Sequence, residues 1–165
     1  MEKQGNGLRF PRVVRLDESD LRVFERAATP GEWAVPGSFV FLDATPETLS
    51  GKELQAFKHG FLGTESFGWS TLVEIAEISD DDYQQVIDRV AAYLIAEHGA
   101  PNIAAALPAA IEEAQYANSI CEHSLATLLA VERHVETEGI VENLKIVRPS
   151  AADHSQVKLW TFDDS

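Results

Sequence analysis

Cys121, Glu122 and His123 stand side by side in the segment ANSICEHSLATLLAVERH, residues 117–134, which holds the only cysteine and two of the five histidines. A thiol, a carboxylate and an imidazole in a row are residue types that bind metal or move protons. On a strand, Cys121 and His123 share one face and Glu122 takes the other. Two ligands on one face begin a zinc site, which wants three or four, and neither C-x2-C nor H-x3-H spacing is present. His59, His98, His134 or His154 would have to complete the set through the fold. As a catalytic thiol, Cys121 would need a base within hydrogen-bond reach and a lowered pKa, yet i, i+2 side chains on a flat strand run parallel. The competing reading is a small buried thiol at a helix-to-strand junction, with His123 satisfied by a backbone carbonyl. The sequence favours that reading, because free cysteine is among the most buried residue types.

The segment HGFLGTESFGWS, residues 59–70, is the second candidate. Its glycines match neither G-x-G-x-x-G nor the phosphate-binding loop that ends in Lys-Ser/Thr. Ser66 and Gly68 suggest half of a G-x-S-x-G elbow, but position 64 is Thr and the helix–loop–strand order is reversed. What remains is a loop in which Phe61, Phe67 and Trp69 alternate with glycines and carry His59 and Glu65. Glycines allow close backbone approach and aromatics supply anchoring area, so this is a binding candidate. The structural alternative packs the aromatics into the core. Trp33, between the turns of TPGEWAVPG, could likewise anchor a partner beside Glu32 or simply close one end of a sheet. Arg9, Arg12 and Arg15 recur every three residues, which on a strand alternates their faces and builds no single anion site. The carboxylate pairs Glu112–Glu113 and Glu136–Glu138 and the run Asp80–Asp82 read as helix-terminus or solvated-turn residues.

These residues need elements to position them. LRFPRVVRLD alternates as a half-buried strand, with Pro11 favouring an edge, and residues 8–43 read as a three-stranded antiparallel meander. Ser50 and Glu53 open a helix that Gly60 stops. FGWSTLVEIAEIS then reads as a strand with Trp69, Thr71, Val73 and Ile75 on one face. Ser79 caps a long helix whose stripe is Tyr83, Val86, Ile87, Val90 and Leu94, ending at Gly99. A second helix is expected from Pro108 to about Asn118. Residues 119–135 fit a strand or a helix. The turn ETEG and the return run IVENLKIVRP favour a hairpin, and VKLWTF makes a last strand.

Composition sets the outer bounds. With 165 residues the chain is long enough to bury a core without disulfides or metal. Thirteen basic against 27 acidic side chains, a formal charge of −14, oppose nucleic-acid and membrane-surface binding. One cysteine rules out an internal disulfide, and no run approaches a membrane span, so the default compartment is the cytoplasm.

Three segments together, DLRVFERAATPGEWAVPGSFVF, FLGTESFGWSTLVEI and ICEHSLATLLAVER, resemble an uncharacterised family of small, chiefly proteobacterial proteins, a domain of unknown function. The resemblance covers roughly residues 8–150 and brings no activity, ligand or site residue. Through its association with cofactor-ligase-like and metalloenzyme-maturation proteins, it implies an accessory role.

The expected fold is α+β, an antiparallel sheet of about six strands with two or three helices on one face. Residues 1–7 read as a disordered lead-in, 8–162 as one domain and 163–165 as a frayed end. The expected function is a non-catalytic binding or accessory protein, without a cofactor, holding a protein partner or small ligand through Trp33, His59, Phe61, Glu65, Phe67 and Trp69. A homodimer would cover a second sheet face. The alternative is a small metal- or thiol-dependent enzyme centred on Cys121 and His123, with His59 or His98 completing the site.

Overall fold

A computed structural model describes residues 7–42, 46–149 and 160–164. Residues 1–6 of the expected lead-in, His154, Ser165 and the start of the last expected strand lie outside them. The fold is α+β, with four α-helices and two antiparallel sheets among the described residues. The larger sheet runs β1 (Arg9–Val14), β5 (Leu72–Glu77), β6 (Leu128–Glu136), β7 (Gly139–Pro149) and β8 (Trp160–Asp164). The smaller joins β2 (Ala34–Val35), β3 (Phe61–Gly63) and β4 (Trp69–Ser70). Eight strands among the described residues therefore replace the expected six, in part because the strand foreseen across Trp69–Ile75 breaks at Thr71 and serves both sheets. Asp163 and Asp164, expected to fray, pair with Ile146 and Lys145.

The expected meander over 8–43 is corrected. After β1 the chain makes a short helix, α1 (Ser19–Val23), and beyond β2 a 3-10 turn over Ser38–Phe41. Gly37 is the reason: its left-handed backbone (φ 84°) turns the chain, and the Val40 N–H closes onto the Gly37 carbonyl. The apolar SFVF run thereby aims Phe41 edge-on at Phe57 rather than extending a strand. β1 faces two neighbours. It pairs with β5 along its length, and its other edge meets the segment before β2 through an Arg12–Trp33 bridge. The Val13 N–H also donates to the Glu32 carbonyl at 2.8 Å.

The hairpin reading of the C-terminal half matches β6 and β7, paired from Leu128–Val147 to Glu136–Gly139. Their alternation sets a row of buried side chains across four strands, Val13, Val73, Leu129 and Ile146. Cys121 and His123 are not on a strand. They occupy the loop between the last helix and β6.

α2 (Gly51–His59) ends at Gly60 as expected, although the Ser50 hydroxyl makes no capping bond. α3 (Asp80–Glu97) starts where Ser79 Oγ accepts the Asp82 N–H at 3.0 Å. α4 (Ile103–Ser119) begins five residues before the expected Pro108, because Asn102 Oδ1 caps it by accepting the Ala105 N–H at 3.0 Å. Pro108 thus lies inside the helix and forfeits one backbone bond. Ala106, Ala110, Ala114 and Ala117 give α4 a face of small side chains, all essentially inaccessible, against Val86, Ile87, Val90 and Ala91 of α3. No helix among the described residues is long and apolar enough to cross a membrane.

Candidate functional site

Glu32, a carboxylate only 5 % exposed, organises the loop that carries the aromatic segment. Its Oε1 accepts the Glu65 and Ser66 N–H groups at 2.7 and 2.9 Å, and its Oε2 accepts the Thr29 N–H and Ser66 Oγ–H, both at 2.6 Å. Four donors to one buried anion offset its desolvation and fix the 63–68 loop to the segment before β2. The glycines serve this approach. A Cβ on Gly63 would fall 2.5 Å from the Glu32 carboxyl carbon, and one on Gly68 would fall 2.6 Å from the Ala27 carbonyl.

Between these glycines Phe67 adopts φ 54°, a left-handed backbone that costs a bulky residue energy. Its ring stacks face to face on Tyr93 of α3, with centroids 4.0 Å apart and planes 8° apart. Trp69 follows, its backbone tied to Arg26 and Ala28. The benzo edge of its indole packs where a Cβ on Gly60 would collide with it at 2.7 Å and one on Gly37 would crowd it at 3.2 Å, and Phe41 lies 5.3 Å away.

Phe41, Phe67, Trp69 and Tyr93 thereby line a groove of about 460 Å³. Glu25, Arg26, Lys52, Glu53 and Glu97 also line it. The Trp69 indole N–H and the Tyr93 hydroxyl donate to none of the described residues, and neither is sealed from solvent. Burial, then the nearby Glu97 carboxylate, hold the Tyr93 phenol above its ordinary pKa, with Arg26 opposing, so it stays a donor at neutral pH.

A buried ionic network braces the groove from behind. Arg133 is inward-facing on β6; its Nε donates to Glu142 Oε2 at 2.6 Å and its Nη1 to the Phe57 carbonyl at 2.9 Å. Its Nη2 donates to the Pro36 carbonyl. Tyr116 donates to Glu142 Oε1 at 2.8 Å, and Glu113 accepts the Gly37 N–H at 2.8 Å. Burial raises the Glu113 pKa, against the Gly37 bond; Glu142 adds to the rise and Arg133 reduces it. The end of α2 and the Pro36–Gly37 turn, both beside Trp69, are held by this one guanidinium and its neighbours.

A second, more apolar cavity of about 330 Å³ lies at the sheet. His59 and Thr71 line it with Leu72, Ala130 and Val147, and its Lys145 and Glu132 form an ion pair at 3.2 Å.

The residues singled out from sequence are distributed as follows. Phe67 and Trp69 meet in the groove. His59 lines the other cavity, with Nδ1 3.4 Å from the Val131 carbonyl. Phe61 is wholly buried in the core, and Glu65 is exposed and ion-paired with Arg89 at 3.3 Å. Trp33 is half-buried edge-on to Phe10, beneath the Arg12 guanidinium, and donates its indole N–H to Asp82 at 3.3 Å. His98 packs on Tyr93 and Phe39. Cys121 is buried, and burial pushes its thiol up to about 12 despite Arg9, whose Nη1 donates to the His123 carbonyl. Among the described residues no three His, Cys, Asp or Glu side chains gather as a metal site, so Cys121, His123, His59 and His98 do not form one. Sequence reasoning missed Tyr93, Phe41 and Arg133. Arg133 had a signal, since it continues the inward phase of Leu129 and Val131.

The chain matches the model of a family of unknown function, DUF6505, over residues 8–164, and it belongs to that family. No curated protein and no solved structure matches it.

Proposed function

We propose that this member of a family of unknown function is a non-catalytic binding or accessory protein whose groove, walled by Phe41, Phe67, Trp69 and Tyr93, holds a small ligand or a partner's side chain. The observation that carries the reading is Phe67. A left-handed position is where glycine sits without cost, yet here a large aromatic occupies it and stacks on Tyr93 at the groove wall. Backbone strain kept for the sake of one ring is what a binding wall needs.

Phe67→Gly tests this, because it relieves the backbone while removing the ring. Wild type and variant would be screened against a metabolite extract by thermal shift. The expected result is one or more fractions that raise the Tm of the wild type and leave that of the folded variant unmoved. Identical responses in the two proteins, or no response in the wild type, would sink the reading. The alternative of an enzyme centred on Cys121 and His123 lacks comparable support, since the thiol is buried and its pKa is raised rather than lowered.

A further inference from the structure

We infer that the groove's ligand is a neutral, planar heteroaromatic that carries both hydrogen-bond acceptors and amino donors. The inference rests on the groove being a binding site, and it deepens that reading by naming the chemistry. Three observations converge on it.

Shape comes first. Four aromatic side chains line a space of about 460 Å³, within the range that takes a small ring system. Rings of this kind gain by stacking or edge contact with a flat partner.

Polarity comes second. Trp69 and Tyr93, which line the groove, carry an indole N–H and a phenol O–H without acceptors among the described residues. An occupant that covered such a donor without pairing it would pay about 1–3 kcal/mol. The occupant therefore brings acceptors, as ring nitrogens or carbonyls do.

Charge comes third. The groove also carries three carboxylates, Glu25, Glu53 and Glu97, and two cations, Arg26 and Lys52. A simple anion meets the first set and a simple cation the second. A neutral ring with donors and acceptors uses both: carboxylates take its amino protons, while the indole, phenol and cations serve its acceptors.

The test is a titration of ¹⁵N-labelled protein, following the three tryptophan indole resonances, with Trp69 assigned through Trp69→Phe. The probes are adenosine, cytidine and riboflavin, against tetramethylammonium and benzoate as cation and anion controls, each to millimolar concentration. A saturable shift of the Trp69 indole with at least one heteroaromatic, with Trp33 unmoved, is the expected result. Tyr93→Phe, which keeps the ring and the fold, is then expected to weaken that binding roughly five- to tenfold. A Trp69 shift produced only by tetramethylammonium or benzoate would overturn the ligand class and leave the groove standing. No Trp69 shift with any of the five would overturn both.

Discussion

Cys121 shows how a residue that looks reactive in one dimension is disarmed in three. It sits in the loop after α4, among Val13, Phe61 and Leu129, where the thiolate has little solvation. A thiol with a folded-state pKa near 12 and an unfolded value near roughly 8.5 favours the fold at neutral pH. That contribution is fully present below the unfolded value and is lost as pH rises through the folded one. Iodoacetamide is therefore expected to leave the native protein almost unlabelled at neutral pH and to label it quickly once urea unfolds it. Mass spectrometry of a labelling time course reads this directly, and rapid native labelling at pH 7 would contradict it. Typical cysteine burial already pointed to a buried thiol at a helix-to-strand junction, and Cys121 lies in the loop between α4 and β6. Phe67 ran the other way: its aromatic–glycine setting was visible, but nothing local announces a left-handed phenylalanine.

At the scale of elements, Arg133 is the joint. It reaches from β6 to Glu142 on β7, to the last carbonyls of α2 and to Pro36, so four segments depend on one buried cation. Arg133→Met leaves Glu142 buried without its counter-ion and is expected to cost about 3–5 kcal/mol. Adding Glu142→Leu is expected to restore much of that loss, because the pair is then replaced by apolar volume. Urea midpoints of the two variants decide it, and a double variant no better than the single would refute the account. The elements themselves were legible where local chemistry decides them. Ser79 with its three following aspartates announces α3, and ETEG announces the β6–β7 turn. They were illegible where distant contacts decide. The composition of SFVF suits a strand, but Gly37 and the pocket formed by Phe57 make it a 3-10 turn. The groove shares this limit, since Phe67 and Trp69 stand out locally while Tyr93 and Phe41 come to them from elsewhere in the chain.

For the whole molecule, the family match over residues 8–164 spans both sheets and all four helices, and no part of the described fold stands apart from it. The two sheets are one object because β1 touches both, pairing with β5 and bridging at Arg12–Trp33. That placement orders events in time. Arg9 must wait for Glu77, far along the chain, whereas the β6–β7 hairpin and the α3–α4 pair close over short loops. Loop-closure entropy makes such local pairs quick and the distant strand slow. On a ribosome, β1 emerges well before β5, and until β5 arrives it presents an unpaired edge bearing Phe10 and Val13. Pulsed hydrogen exchange during refolding is expected to find the amides of β6 and β7 protected before those of β1, and simultaneous protection would argue against this order. A chaperone that shields exposed strand edges would find its moment here, in the interval between the synthesis of the two halves of a single ladder.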